Sequence, residues 1–422
     1  MARFGRGFPM PVAKQPAATL ADIATGGSVL VMTSESTSST SFTDLTTTTD
    51  SVTVTVPASG IVMVSLSAEV FGAGSGSSFQ EAYVGFALSG ANTASASQTQ
   101  AFAIQNDYGN SLVGKTWGCS YLLTNLTAGS TTFKMKYQST SGTSSTFSNR
   151  QINVVPINNT KSRVASVATN ESTSSLSYTS LTTTTDTVTL TVPTSGLVLV
   201  LFNAGINNNL GISSSLVGGA MSYALSGSNT RFADDTRAIL HPEYAYGFGQ
   251  YGNAVVETGL TAGSTTFAAK YRAVGGNTAS FSQRSIAAIP LAAMPISPAA
   301  AYVATSESTT STTYTDLATA TDSVTVNIGG SGQALVSVFA QISGSVRGVQ
   351  GFAGFAISGA STASATDTYS LLQNEWDFGL RGINAVFLQT GLTAGSTTFK
   401  MKYRATGGTA TFAYRRIAVI PL

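Results

Sequence analysis

The chain holds one histidine, His241, and one cysteine, Cys119, among 422 residues. Any chemistry would therefore rest on its 19 carboxylates, its amides and its aromatics. Asp234 and Asp235 are adjacent, so on a strand they point to opposite faces and cannot share a substrate as acid and base. His241 precedes Pro242 with no serine-bearing elbow nearby, and no GxSxG, P-loop or HExxH motif is present. One Cys and one His also exclude a Cys/His zinc site and an intrachain disulfide. Cys119 sits among aromatic and aliphatic neighbours and reads as a buried, reduced thiol. These residues predict a non-enzymatic protein with no catalytic residues, metal or cofactor.

Binding is the better expectation. Three stretches combine acids, amides and aromatics, the side chains with which loops stack on apolar faces and take up hydroxyls. The first runs from Gln105 through Asn106, Asp107 and Tyr108 to Trp117. The second carries Arg231, Asp234, Asp235, Arg237, His241, Glu243, Tyr244 and Tyr246, and the third Asp367, Tyr369, Asn374, Glu375, Trp376, Asp377 and Arg381. The candidate receptor or partner contacts are Asp107, Tyr108, His241, Tyr244, Tyr246, Glu375 and Trp376. The alternative is that these are polar loops whose rings plug the end of a barrel. A different feature opens the chain, where Arg3, Phe4, Arg6 and Phe8 lie among glycines and prolines and cannot form a core. They suit an arm that docks into an assembly.

The elements that must position these loops follow from an internal repeat. LTAGSTTF occurs at Leu126–Phe133, Leu260–Phe267 and Leu392–Phe399, and a Ser-Gly pair precedes an apolar run at Gly60, Gly196 and Gly332. Glu35, Glu171 and Glu307 recur in step with Arg150, Arg284 and Arg415, one on the first strand and one on the last, and predict a structural ion pair or hydrogen-bonded lock in each copy, with a ligand-binding role as the alternative. Asp50, Asp186 and Asp322 follow threonine-rich runs and read as turn residues that cap local N–H groups. The division is an arm over 1–27 and three copies over 28–157, 164–291 and 300–422.

Within a copy the period is 2, as in strands with one buried face. Val52, Val54 and Val56 alternate with Ser51, Thr53 and Thr55, and Val62, Val64, Leu66, Ala68 and Val70 share a face. Further strands are expected at 29–33, 42–45, 82–88, 102–104, 117–123, 131–137 and 150–155, and none of the chain carries a helical period. The 56 Ser and 60 Thr supply the hydrophilicity that the 9% of charged residues do not. This predicts an all-β chain of three tandem antiparallel β-sandwiches or jelly rolls with an extended N-terminal arm. The net charge of +2 offers no footprint for nucleic acid or anionic lipid, and no apolar run approaches the ~20 residues of a membrane-spanning helix. The N-terminal arginines are followed by no hydrophobic stretch, so a secretory signal is not expected.

The order Phe42-x-x-Leu45, Pro57-x-Ser59-Gly60, AYVGFALSG and LTAGSTTF resembles the jelly roll of C1q and tumour-necrosis-factor-like domains. The threonine-rich TTTTDSVTVTV, the closing KMKYRATGGTATFAYRRIAVIPL and the RFGRGFP start are similar to minor tail proteins of actinobacteriophages. That resemblance implies a virion structural protein in the phage tail, at the tip or baseplate. It would contact other tail proteins through the arm and a host-envelope glycan or protein through the loops. A capsid decoration protein and a glycan-binding adhesin of a bacterial surface protein are the alternatives. C1q-like domains associate in threes, and the links of ten and twelve residues after Pro156 and Pro290 span at most ~33 and ~40 Å. One chain is therefore expected to form its own pseudo-threefold trimer, with contacts through Tyr137, Tyr271 and Tyr403 or their strand neighbours. A homotrimer is the alternative.

Overall fold

The computed structural model describes residues 21–72, 80–105, 114–140, 143–208, 216–243, 247–346, 348–374 and 380–422. The first copy forms β1 (Gly27–Val31), β2 (Glu35–Thr37), β3 (Ser51–Val56), β4 (Ile61–Gly72), β5 (Glu81–Gly90), β6 (Phe102–Gln105), β7 (Lys115–Leu123), β8 (Gly129–Ser139) and β9 (Ser145–Ile157). The second forms β10 (Arg163–Val167), β11 (Glu171–Thr173), β12 (Thr187–Val192), β13 (Val198–Asn208), β14 (Val217–Gly227), β15 (Ile239–Glu243), β16 (Gly247–Glu257), β17 (Gly263–Val274) and β18 (Ala279–Pro290). The third forms β19 (Ala299–Val303), β20 (Glu307–Thr309), β21 (Ser323–Ile328), β22 (Ala334–Gly344), β23 (Gln350–Gly359), β24 (Ser370–Asn374), β25 (Arg381–Gln389), β26 (Gly395–Thr406) and β27 (Ala410–Pro421). Among the described residues the only helical pieces are 3-10 turns at Gln98–Gln100 and Asp367–Tyr369. The chain is an all-β, antiparallel sandwich protein. The segment 42–45, expected as a strand, makes only a single bridge from Thr43 to Tyr137.

The sheets do not stop at the edge of a copy. One runs β1-β9-β4-β7-β24-β23-β26-β21, joining half of the first copy to half of the third. The next runs β10-β18-β13-β16-β6-β5-β8-β3 and joins the second copy to the first, and the last runs β12-β17-β14-β15-β25-β22-β27-β19 and joins the second to the third. The seams are Leu372 with Thr116, Ala103 with Gln250, and Leu240 with Gly382. Each copy shares one sheet with each of the other two, so the three close a ring.

The ring explains why the central strands are apolar on both faces instead of alternating. On β4, Val62, Val64 and Leu66 face the sandwich interior, while Ile61 and Met63 pack in a separate cluster with Leu199, Leu201 and Val256 of the second copy and Leu335, Leu388 and Ile420 of the third. The same seam satisfies three backbone carbonyls at equivalent positions. Asn203 Nδ2 donates to Ser120 O at 2.8 Å, Ser337 Oγ to Ala254 O at 2.7 Å, and Asn153 Nδ2 to Val386 O at 2.8 Å. Tyr137, Tyr271 and Tyr403, expected between copies, are instead fully buried within them. Their strands, β8, β17 and β26, lie inside each sheet, and the inter-copy seams pair the short β6, β15 and β24 with β16, β25 and β7.

Both repeated turn motifs have one cause. Gly60, Gly196 and Gly332 have φ of 66°, 68° and 63°, and a Cβ there would come within 2.6–2.7 Å of the carbonyl oxygen of Leu126, Leu260 or Leu392, the first residue of LTAG.

The first described residues close one end of the ring. Ile23 is fully buried, Asp22 N donates to Ala293 O at 3.0 Å, and the Gly26 backbone exchanges hydrogen bonds with the Gln333 amide. β4 leaves this end at Ile61, beside Ile157, and reaches the opposite end at Gly72, beside Ser145.

Candidate functional site

Each copy carries a buried constellation. In the first, Glu35 Oε2 lies 2.7 Å from Arg150 Nη2, and Thr47 donates both its N–H and its hydroxyl to Glu35 Oε1 at 2.8 Å. Tyr137 Oη donates to Asp50 Oδ2 at 2.5 Å, Arg150 Nη1 lies 3.4 Å from the same oxygen, and the guanidinium sits 5.4 Å from the Tyr137 ring centre. The second copy repeats this with Glu171, Thr183, Arg284, Asp186 and Tyr271, and the third with Glu307, Thr319, Arg415, Asp322 and Tyr403. Burial raises the Glu35 carboxyl, but the Thr47 hydrogen bonds and the Arg150 charge outweigh it and hold the group below its ordinary value. Burial wins at Asp50, whose carboxyl is raised in spite of Tyr137 and Arg150. Asp50, Asp186 and Asp322, expected to cap local N–H groups, each accept their own backbone N–H and are in addition buried and take a tyrosine hydroxyl. The arginine, aspartate and tyrosine of each copy are buried and the glutamate half-buried, and the constellation locks the last strand to the threonine-rich run.

The loop candidates fare differently. Asp107, Tyr108, Tyr244, Tyr246, Glu375 and Trp376, with the arm residues Arg3, Phe4, Arg6 and Phe8, lie outside the described residues. His241, expected at a receptor surface, is 1% exposed on β15. Its ring lies 6.1 Å from Trp117 of the first copy and 5.7 Å from Tyr251, with Tyr251 Oη 3.2 Å from Nδ1. Burial, with the charges of Arg381 and Lys115, drives its pKa well below the ordinary range, so it is neutral at physiological pH. Trp117 reaches all three copies, packing against the Tyr251 ring at 4.8 Å with the planes tilted by 53° and donating to Gln373 Oε1 at 3.2 Å. His241 and Trp117 therefore serve the seam. Cys119 is buried and unpaired.

Two features were missed from the sequence. Glu257, 4% exposed, accepts hydrogen bonds from Arg231 at 2.8 and 2.6 Å, from Arg237 Nε at 2.9 Å and from Tyr223 Oη. Burial alone would raise its carboxyl, yet Arg231 and Arg237 hold it down to about 2.

The second is a pair of equivalent surface grooves at the seams. One, of about 740 Å³, is lined by Thr40, Phe42, Ser95, Ser97, Gln138 and Gln283. The other, of about 710 Å³, has Leu176, Tyr178, Phe232, Asp234, Arg272 and Tyr414 at the matching positions. Isolated bridges fix the correspondence, since Leu88 pairs with Ala94 as Leu225 does with Arg231, and Thr43 with Tyr137 as Thr179 does with Tyr271. Gln283 and Tyr414 reach the grooves from β-bulges where φ is 48° and 49°, an uncommon conformation for side-chain-bearing residues. Among the described residues, no group of three or more His, Cys, Asp or Glu could hold a metal ion.

No protein-family model matches the chain, and no curated protein does. Among solved structures it is similar to a protein of Sulfolobus turreted icosahedral virus, at 12% identity over 85% of this chain and 83% of that one, with a TM-score of 0.19. A second likeness is to a structure described as the triple jelly roll fold and turret assembly in an archaeal virus, at 12% identity, 85% and 82% coverage and a TM-score of 0.20. A third is to PNGase F, a glycosylasparaginase from Flavobacterium meningosepticum, at 9% identity, 61% and 96% coverage and a TM-score of 0.31. At such scores these likenesses are loose, and neither assembly nor activity passes from those proteins to this chain.

Proposed function

We propose that the chain is a non-enzymatic structural protein of a virion, a minor tail protein at the tip or baseplate of a phage, whose three copies form a single head on an N-terminal arm. The observation that carries this reading is the polarity of the ring. Residues 21–26 are pinned at one end of the ring by Pro156 and Ile157 of the first copy, by Gln333 of the third and by Ala293 in the link between the second and third. Lys115, which follows the candidate loop of the first copy, pairs with Val70 near the other end of the same sheet. One end attaches and the other presents. Sheets shared between the copies support an intramolecular trimer over a homotrimer of chains, and the sequence resemblance to actinobacteriophage tail proteins is the ground for the tail over the capsid.

Immunogold labelling of intact particles tests the proposal. Gold at the tail tip is the expected result, gold on the head would assign the protein to capsid decoration, and absence from particles would overturn both virion roles.

A further inference from the structure

We propose that the groove between the second and third copies is a binding site for a neutral saccharide. The fold builds the same groove between the first and second copies at nearly equal volume, and the third copy repeats the plate of Tyr178, Asp235 and Arg272 as Tyr314, Asp367 and Arg404, so the scaffold accounts for the cavity and its floor but not for its apolar rim. Where one groove has Thr40, Ser95, Ser97 and Gln283, the other has Leu176, Phe232, Asp234 and Tyr414. At the third seam the matching residues are Thr312, Ser364, Thr366 and Asn149. Large apolar and aromatic side chains are thus gathered at one of three equivalent places. They are also left in water: Phe232 is 88% exposed and Leu176 61%. Leaving such surface exposed costs solubility and contributes nothing to the core, which marks a place where something binds.

The chemistry of the groove selects the occupant. Its floor is a polar plate in which Arg272 grips Asp235 at 3.0 and 2.7 Å, while Tyr178 Oη donates to Asp235 at 2.7 Å. Asp234, 40% exposed at its side chain, stands at the rim beside Phe232 and Tyr414. Asp235 is paired with Arg272, and Asp234 Oδ2 lies 3.4 Å from Arg237 Nη1, so both carboxylates have a cation and the site favours a neutral ligand. A saccharide presents both surfaces this site requires: C–H faces that stack on aromatic rings and hydroxyls that donate to carboxylates. The volume is in the range of roughly 300–1,000 Å³ usual for small-ligand sites. An apolar peptide would leave the charged floor desolvated and only partly paired, at a net cost.

This inference does not depend on the virion reading. The full chain is applied to an array of neutral oligosaccharides of hexose, N-acetylhexosamine and deoxyhexose type, with sialylated and sulfated glycans as charged controls, and calorimetry follows on any neutral glycan captured. The expected result is selective neutral-glycan binding that falls at least tenfold in Phe232→Ala and in Asp234→Asn but is unchanged in Thr40→Ala at the sister groove. Phe232 is too exposed for its loss to unfold the chain, and circular dichroism of each variant checks this. Binding of no neutral glycan at millimolar concentration, preference for the charged controls, or equal loss in Thr40→Ala would overturn the proposal.

Discussion

Replacing Glu257 by Gln should destabilise the protein at neutral pH and leave it nearly unaffected in strong acid. The carboxyl is held down to about 2 from an ordinary 4.5 by two guanidinium groups. A depression of about 2.5 pH units, at ~1.4 kcal/mol per unit, corresponds to about 3 kcal/mol of native-state stabilisation. Because the folded pKa lies below the unfolded one, this contribution is fully present above about pH 4.5. It is lost as pH falls towards about 2, where wild type also carries a neutral side chain between Arg231 and Arg237. At ~2.1 cal/mol/K per residue, a 422-residue cooperative unit has an unfolding entropy near ~0.9 kcal/mol/K, so the gap in melting temperature at pH 7 is about 3 °C. Calorimetry of wild type and Glu257→Gln at pH 7, 4 and 2.5 measures it. A gap that stays constant across that range would refute the assignment of Glu257 as a carboxylate stabilised by charge, and would leave only its shape in the packing.

Further perturbations probe the ring and the repeated lock. Asn153→Ala strands the carbonyl of Val386 and the N–H of Leu388, and is expected to cost about 1–3 kcal/mol in chemical denaturation with no change in secondary structure. Arg415→Met leaves Glu307 and buried Asp322 without their cation and should cost about 3–5 kcal/mol, seen as a lower denaturation midpoint. Light scattering of the isolated protein should give a mass near 43.2 kDa. A mass three times larger would favour a homotrimer of chains over an intramolecular one.

Much of the molecule is written into short-range patterns. The period-2 alternation of β3, β12 and β21, the recurrence of LTAGSTTF and the synchronous glutamates and arginines follow from local requirements that every copy must meet. The partnership of Asp50 with Tyr137, which spans 87 positions, is repeated in step as well, but a sequence does not reveal which recurring groups will meet. Alternation along β4 marks the face of Val62, Val64 and Leu66 but does not show that Ile61 and Met63 are buried as well. Only the tertiary structure decides that the second face belongs to a ring axis, because the short strands that close the ring, β6, β15 and β24, join β16, β25 and β7 through backbone hydrogen bonds available to any residue. The same holds for His241 and Phe232, thirteen and four residues downstream of Ser228 in one polar stretch. The shared sheet buries His241 against another copy and leaves Phe232 in solvent, a distinction made by neighbours distant in sequence and therefore absent from it.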